Sequence, residues 1–251
     1  MLTTTEIHQF LKDNGIRKSD TVIVHTSMRA LGAVDGGCDG LIDAFTSYLS
    51  EGLFIVPTHT WANVGAEQPV YDVRSTPPCI GALPTVAAFR KDGIRSLHPT
   101  HSVAAFGNRA KEFVKGEEIC TSPCPAGGIW SRLYEEHAKI LLLGVKLNRN
   151  TYIHTLDELL SIPNRLKDPI PLTVIDYDGN ACVLQFRKHG HTDSEEYEKY
   201  RTALETAGAM TNARLGNAEV GIVDARGCRD VLVKLLSEQN QYGTADAKDL
   251  T

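Results

Sequence analysis

The chain has 251 residues, with 26 Lys and Arg against 31 Asp and Glu, which gives a formal net charge of -5. Its composition, 42% hydrophobic and 23% charged, is typical of an α/β protein and unlike that of disordered, collagen-like or coiled-coil chains. The mild acidity argues against non-specific nucleic-acid binding. The most apolar run, Ile140–Val145, is too short to span a membrane, and residues 1–8 lack the order of a signal peptide. We therefore expect a cytoplasmic protein without a nucleic-acid or membrane partner.

Strands and helices alternate through the first two thirds of the chain. Short apolar runs predict buried strands at Thr21–His25, Leu53–Val56, Ser102–Phe106 and Lys139–Val145. Capping residues and helical spacing predict helices over 4–14, after Gly36-Gly37, over 82–90, about 109–115, about 127–137 and from near Thr151. This alternation is typical of a parallel or mixed sheet covered by helices. Residues 58–78 are polar and irregular, and we expect a long loop there.

The last third has a different pattern. Two alternating strands, Leu172–Tyr177 and Ala181–Arg187, are joined at Asp178-Gly179, a strong signal for a tight hairpin. A charged helix over 193–206, a strand over 218–224 and a helix over 227–238 follow. We predict one domain over residues 1–251, a three-layer α/β/α fold with a mixed central sheet and a C-terminal antiparallel hairpin addition. The tail after about residue 239 is expected to be loosely ordered.

Histidines stand at many of the predicted strand ends. Ligands of open α/β sheets bind at the carboxyl ends of the strands, and an imidazole there can exchange protons near neutral pH. A single histidine of this kind is more often structural. The residues concerned are His25, His59, His98, His101, His154, His189 and His191.

One of these histidines has carboxylates at helical spacing. Asn150 or Thr151 can cap a helix whose first turn contains His154, with Asp157 and Glu158 at i+3 and i+4 on the same face. A carboxylate so close can orient the imidazole and support its protonated form, as a general base requires. The spacing does not distinguish the two carboxylates, and a surface ion pair is the alternative interpretation.

A metal site is the competing hypothesis for the same histidines. Its ligands would be His98, His101, His189, His191 and Asp193. The HExxH order is absent, and Pro99 places His98 and His101 on extended chain rather than on one helix face. The six cysteines are scattered, which does not favour a disulfide framework or a zinc knuckle. We predict no metal.

Two backbone features can hold an anionic or carbonyl ligand. The hydroxyls of Thr26 and Ser27 follow the first strand, and Gly36-Gly37 can present free N–H groups to a phosphate at the start of a helix. The dinucleotide, Walker and serine-hydrolase patterns are all missing from the sequence.

Three blocks of sequence in this order resemble the aminoglycoside 3-N-acetyltransferase family, also called the antibiotic N-acetyltransferases, which includes antibiotic-resistance enzymes. The blocks are His25–Gly32 with Val34–Gly37 and Val56–Thr60, then Arg95–Gly107, then Leu141–Val145 with Asn150-Thr151-x-x-His154. They span roughly residues 22–166. The C-terminal third matches only loosely.

The resemblance implies a function and a set of site residues. It implies acetyl-CoA as co-substrate and direct N-acetylation of an amine, with no acyl-enzyme, on an α/β/α fold. His154 would take the proton of the attacking amine, with Asp157 or Glu158 behind it. The cofactor contacts it implies are Thr26, Ser27 and Val34–Gly37, including Gly36 and Gly37, with His98 and Ser102 lining the same cleft.

The chain departs from the family pattern at two positions. Relatives carry Glu where this sequence has Thr85, and the acidic residue three after His154 is usually Glu, not Asp157. We therefore predict a small-molecule amine acceptor, whether an aminoglycoside-like antibiotic, an amino sugar or a metabolite. The alternatives are a metal-dependent hydrolase and an inactive binding protein that keeps the cofactor cleft. The sequence does not indicate an oligomeric state.

Overall fold

The computed structural model describes residues 1–190 and 194–238, and these contain ten strands. The strands are β1 (Thr21–Thr26), β2 (Leu53–Pro57), β3 (Val70–Asp72), β4 (Gly93–Arg95), β5 (Val103–Phe106), β6 (Lys139–Leu143), β7 (Leu166–Ile175), β8 (Ala181–His189), β9 (Met210–Leu215) and β10 (Ala218–Asp224). Seven of them form the main sheet, in the order β4-β5-β2-β1-β6-β10-β9.

The helices of the described residues connect and cover these strands. They are α1 (Thr4–Asp13), α2 (Met28–Leu31), α3 (Gly37–Tyr48), α4 (Ala82–Ala87), α5 (Ala110–Phe113), α6 (Ile129–Glu135), α7 (His154–Leu159), α8 (Arg201–Thr206) and α9 (Ala225–Glu238). Short 3₁₀ helices cover Glu117–Ile119, Leu147–Arg149, Thr151–Ile153 and Ser194–Tyr200. At the first helix, the predicted capping box is present, because Thr3 Oγ1 accepts from the backbone N–H of Glu6.

The main sheet is mixed, as predicted. Strand β1 pairs in parallel with β2 on one side and β6 on the other. Strands β5 and β10 then pair antiparallel with β2 and β6, and β4 and β9 extend the edges antiparallel again. The three central strands therefore end at the same edge of the sheet, where a ligand cleft is expected.

Helices cover both faces of the sheet, which confirms the three-layer prediction. Side chains of a strand alternate between the two faces, so Ile23 of β1 packs in one core with α6, α7 and α9. Its neighbours Val22 and Val24 pack in the other core with α1 and α3. All three of these residues are almost completely buried.

The predicted hairpin forms, but it belongs to a second sheet. Strands β7 and β8 pair antiparallel, and β3 joins β7 in parallel. The predicted loop over 58–78 therefore contributes a strand, and its Tyr71 packs against Phe186 in a third small core. Arg95, only 2% exposed, joins this loop to the main sheet by donating to the carbonyl oxygens of Thr58 and Thr76.

Other predicted elements differ mainly at their ends. In place of the single helix expected over 193–206, the structure has a 3₁₀ helix over Ser194–Tyr200, which is more tightly wound, followed by α8. Strands β3, β4 and β9 were not predicted. Asp193, His191 and the expected loose tail after residue 239 lie outside the described residues, and the single domain over 1–251 stays a prediction. In the described part of the chain, every helix is too short or too polar to cross a bilayer.

Candidate active site

A cleft of about 640 Å³ opens where the three central strands end. One half of its wall comes from the main sheet and α4 and is mostly apolar. The residues of this half include Val24, Thr26, Val56, Pro57, Leu83 and Pro84. The opposite half comes from the segments around residues 148–154, the end of β8 and the 3₁₀ helix that begins at Ser194, and it contains His154. The cleft therefore lies between the main sheet and the small sheet.

A capped 3₁₀ turn directly before α7 positions His154. The side-chain oxygen of Asn150 accepts from the backbone N–H of Tyr152, so the predicted cap is Asn150 rather than Thr151. His154 is the first residue of α7 and its side chain is 11% exposed, at the cleft wall. This exposure is small, but it is directed at the cavity.

The carboxylate partner of His154 is Asp157. Its Oδ2 lies 2.9 Å from His154 Nδ1, and Arg165 Nε lies 3.5 Å from the other carboxylate oxygen. A proton on Nδ1 is donated to Asp157, which leaves the lone pair of Nε2 for the cleft. This is the tautomer that a general base needs.

Tyr197 completes this arrangement from the 3₁₀ helix over Ser194–Tyr200. Its hydroxyl donates to Asp157 Oδ2 at 3.2 Å, and its oxygen lies 2.8 Å from His154 Nδ1. Burial and the neighbouring Asp157 raise the pKa of Tyr197 far above its ordinary value, so the hydroxyl stays a donor. Sequence reasoning missed Tyr197, because it is 43 residues from His154 and no motif marks it.

Glu158 points elsewhere. Its carboxylate accepts from the Ser122 hydroxyl and, at 2.7 Å, from the backbone N–H of Cys124. Burial raises the pKa of Glu158, although these two hydrogen bonds oppose the shift. The prediction left Asp157 and Glu158 open as partners of His154. The structure gives that position to Asp157 and uses Glu158 to hold the 122–124 loop.

Further histidines line the cleft beside His154. The His189 ring centre is 4.4 Å from that of His154, and His101 follows at 4.9 Å from His189 and His59 at 4.6 Å from His101. Burial lowers the pKa of His189 to about 2 and that of His25, also in the wall, to about 3. Burial likewise lowers the pKa of His59 and His101 well below the ordinary value. These rings are therefore neutral at pH 7 and add no charge to the cleft.

Two residues expected in the cleft lie behind its wall. Ser102 is fully buried, and its hydroxyl donates to the Thr58 carbonyl oxygen at 2.8 Å. His98 is also fully buried, with Nδ1 accepting from the backbone N–H of His101 and Nε2 close to the Ser122 carbonyl oxygen. The polar atoms of both side chains are hydrogen-bonded to the backbone around them, so neither side chain has a polar atom left for the cleft. They support the wall rather than line it.

The same geometry weighs against the metal hypothesis. With Nε2–H donated to Ser122 and Nδ1 accepting from backbone, His98 has no lone pair for a cation. Within the described ranges, no three His, Cys, Asp or Glu side chains are grouped to hold a metal ion. His101 and His189 contact one another through their rings. The remaining candidate ligands, His191 and Asp193, lie outside the described residues.

The predicted cofactor residues divide into two groups. Thr26 lines the cleft, and its Oγ1 is buried without a hydrogen-bond partner among the residues that the structure describes. Ser27 uses its Oγ to cap α2 by accepting from Ala30 N at 3.2 Å. The Val34–Gly37 turn leads into α3, where Gly36 has a φ of 70° and provides no side-chain cap. The Gly37 N–H donates to the Val34 carbonyl oxygen at 3.0 Å, and neither Val34 nor the two glycines are among the residues that line the cleft.

Three charged side chains stand at the rim of the cleft. Lys188 Nζ donates to the carbonyl oxygens of Trp61 at 2.9 Å and Val64 at 2.7 Å. Arg149 and Glu195 form an exposed pair, with Nη2 and Oε1 3.5 Å apart. Burial lowers the pKa of Lys188, and the nearby Lys167 lowers it further. Sequence reasoning did not single out these residues, since each lies on a different element.

Comparisons with known proteins agree over nearly the whole chain. Residues 23–237 match the family model described as aminoglycoside 3-N-acetyltransferase. The aminoglycoside N(3)-acetyltransferase IX of Micromonospora chalcea is 29% identical over 259 residues, covering 89% of each chain. The aminoglycoside N(3)-acetyltransferase III of Serratia marcescens is 25% identical, covering 89% of this chain and 90% of that protein.

A solved structure shows the same fold. AAC-IIIb, in a binary complex with CoASH, superposes with a TM-score of 0.83 at 20% sequence identity, covering 97% of this chain and 98% of that one. The resemblance inferred from the three sequence blocks is confirmed, and with it the class of enzyme, an acetyl-CoA-dependent N-acetyltransferase. The chain belongs to the aminoglycoside 3-N-acetyltransferase family.

Proposed function

We propose that the protein transfers the acetyl group of acetyl-CoA to the amino group of a small molecule bound in the cleft, with His154 as general base. The observation that carries this proposal is the arrangement of His154 at the cleft wall, with Nδ1 engaged by Asp157 and Nε2 left for the cavity. An ammonium group cannot attack a thioester until it loses a proton, and a neutral imidazole can receive that proton at pH 7.

Four residues have separate roles in the proposed reaction. His154 Nε2 takes a proton from the nitrogen as the nitrogen forms its bond to the thioester carbonyl carbon. The carbon–sulfur bond then breaks, and the imidazolium returns the proton to the sulfur, so that coenzyme A leaves as the thiol. Asp157 is a positioning residue, because it stabilises the imidazolium and fixes the ring. Tyr197 holds Asp157 in turn. The Thr26 hydroxyl, which has no partner in the described part of the chain, is available to donate to the carbonyl oxygen as negative charge develops there.

The cleft has features that suit coenzyme A. Its apolar half, with Val24, Val56 and Leu83, matches the uncharged pantetheine arm. Outside the lining of the cleft, Gly36 gives the start of α3 no side-chain cap, and we expect the Val34–Gly37 segment to bind the pyrophosphate there, since a helix start attracts anions. Ser27 contributes by capping α2 with its hydroxyl rather than by a contact of that hydroxyl with the coenzyme.

Binding of coenzyme A and acetylation of amines test the proposal separately. Coenzyme A at about 100 times its Kd should add about 2.7 kcal/mol to the free energy of unfolding and raise Tm, whereas adenosine monophosphate should not. Thiol release from acetyl-CoA in the presence of an amine panel, with the N-acetyl product identified by mass spectrometry, tests catalysis. Coenzyme A binding without any acetylation would favour the inactive binding protein.

A further inference from the structure

The charges at the rim of the cleft are the wrong sign for a polycation. Among the described lining residues, Glu195 is the only carboxylate, and it is engaged by Asn148 at 2.7 Å and by Arg149 at 3.5 Å. A substrate with several ammonium groups needs carboxylates that face it. The described lining thus holds one carboxylate, Glu195, against two cations, Arg149 and Lys188, and it has no excess of negative charge for a polycation.

Lys188 is, by contrast, a cation in the lining that has no acidic partner among the residues the structure describes. The described residues offer it only the carbonyl oxygens of Trp61 and Val64, which use two of its three N–H donors. Gly65 makes room for this arrangement, because a Cβ at that position would lie 2.9 Å from Lys188 Nζ. The ammonium is therefore held in place at the cleft wall with one donor and its full charge still to be satisfied.

The position of Lys188 favours an interaction with the amine substrate rather than with the phosphates of coenzyme A. Lys188 and His154 line the same half of the cleft, the half formed by the segments around residues 148–154, the end of β8 and the 3₁₀ helix that begins at Ser194. The general base must be next to the reacting nitrogen, whereas the coenzyme phosphates are separated from the thioester by the whole pantetheine arm. A cation on this half of the cleft is thus near the acceptor. The exposed Arg149 is close enough to join it, since a surface ion pair is weak and easily exchanged.

From this arrangement we infer that the acceptor is an amine that also carries an anionic group, a phosphate or a carboxylate, and that Lys188 binds this group beside His154. The inference rests on the proposed acetyltransferase function and specifies its substrate class. An anionic group accepts a charge-assisted hydrogen bond from the remaining N–H of Lys188, which orients the amino group toward His154 Nε2. A polycationic aminoglycoside has the same sign of charge as the Lys188 ammonium and is repelled by it.

Matched acceptors test the inference on the wild-type protein. Glucosamine 6-phosphate is compared with glucosamine, β-alanine with its amide, and a polycationic aminoglycoside such as sisomicin is included. The inference predicts that at least one anionic amine exceeds its uncharged counterpart by about tenfold or more in kcat/KM and exceeds the aminoglycoside. The two pairs distinguish a phosphate from a carboxylate. Equal or faster acetylation of the uncharged amines or of sisomicin overturns the inference while leaving the acetyltransferase function intact.

Variants then assign the effect to Lys188. Lys188→Met should lower kcat/KM for the anionic amine about 10- to 100-fold and leave its uncharged counterpart within about threefold, with KM for acetyl-CoA unchanged. Lys188→Arg should restore part of the preference. Lys167→Met, an exposed cation on β7 outside the lining, is the matched control and should behave as wild type. If Lys188→Met raises only KM for acetyl-CoA, the lysine binds the coenzyme and the inference is wrong.

A second substitution, at Arg149, tests the inference even if replacement of Lys188 disturbs folding. Because Lys188 joins β8 to the Trp61–Val64 segment, its replacement can disturb the rim. Arg149→Met removes an exposed cation and should reduce the anionic preference by about two- to tenfold without lowering Tm. If no amine of the panel is acetylated and coenzyme A leaves Tm unchanged, the proposed function itself fails, and the inference with it.

Discussion

Asp157 Oδ2 lies 2.9 Å from Nδ1 of His154, one helical turn earlier in α7. Asp157→Asn keeps the shape of this contact, but the amide cannot stabilise an imidazolium and can hold the wrong tautomer. We expect kcat to fall about 10²- to 10⁴-fold, with KM for acetyl-CoA within about twofold. Steady-state kinetics with each substrate varied in turn measure both quantities.

Glu158→Gln is the control for that substitution, because the neighbouring carboxylate has a different partner set. It weakens the hydrogen bonds to Ser122 and to the Cys124 N–H, and it should lower the free energy of unfolding by about 1–3 kcal/mol. Its kcat should stay within about threefold of wild type. A greater loss of kcat for Glu158→Gln than for Asp157→Asn would contradict the assignment of the carboxylates.

Tyr197→Phe tests whether the tyrosine positions Asp157 and His154. Loss of the hydroxyl removes the 3.2 Å hydrogen bond to Asp157 and should reduce kcat about 3- to 30-fold without changing KM for acetyl-CoA. Tyr48→Phe removes a comparable hydrogen bond, from a hydroxyl to the Ile16 carbonyl oxygen far from the cleft. It should cost stability and leave kcat unaltered. Equal effects of the two variants on kcat would show that Tyr197 is merely structural.

Thr26→Val and Ser27→Ala separate an unpartnered hydroxyl of a cleft residue from a hydroxyl that caps a helix. The Thr26 hydroxyl is buried and unpartnered among the described residues, so its loss should not lower Tm, yet kcat/KM for acetyl-CoA should fall about 10- to 100-fold. Ser27→Ala removes the α2 cap and should cost about 1 kcal/mol of stability. The account is wrong for Thr26 if its variant loses stability and keeps full activity.

The neutral histidine His25 predicts a pH dependence of stability. Its pKa is about 3 in the folded protein, against about 6.5 in an unfolded chain. The unfolded state therefore binds the proton first, and the folded state loses stability as pH falls below about 6.5, by up to about 1.4 kcal/mol per pH unit from this group. His25→Gln should reduce the slope between pH 6 and 5 by about 1 kcal/mol per pH unit.

Denaturant titrations at several pH values measure that slope. Above pH 7 the two proteins should share one slope, because His25 is then neutral in both folded and unfolded states. A variant whose stability falls as steeply as wild type between pH 6 and 5 would show that His25 binds a proton in the folded protein.

Local signals in the sequence were enough to predict the layers of the fold and the position of His154 at the start of α7. Buried strands such as β1 and β6 are continuous apolar runs, and Asn150 caps the 3₁₀ turn over Thr151–Ile153 that leads into α7 at His154. That start places His154 and Asp157 on one face of the helix. Spacing alone therefore placed both Asp157 and Glu158 within reach of His154, and it did not distinguish between them.

What the sequence could not provide depends on contacts between distant segments. The strands β3 and β4 have three residues each, and pairing with a neighbour rather than intrinsic propensity makes them extended. Tyr197 reaches His154 only because the 3₁₀ helix folds back over α7. Glu158 turns away because Ser122 and Cys124, more than 30 residues earlier, offer it donors.

The most direct test of the account is the activity of His154→Gln with an acceptor that wild type acetylates. Glutamine keeps a polar side chain of similar reach but cannot take a proton from the amine at pH 7. The account predicts a loss of about 10²- to 10⁴-fold in kcat, with the rise in Tm caused by coenzyme A preserved. A kcat within about threefold of wild type would contradict it.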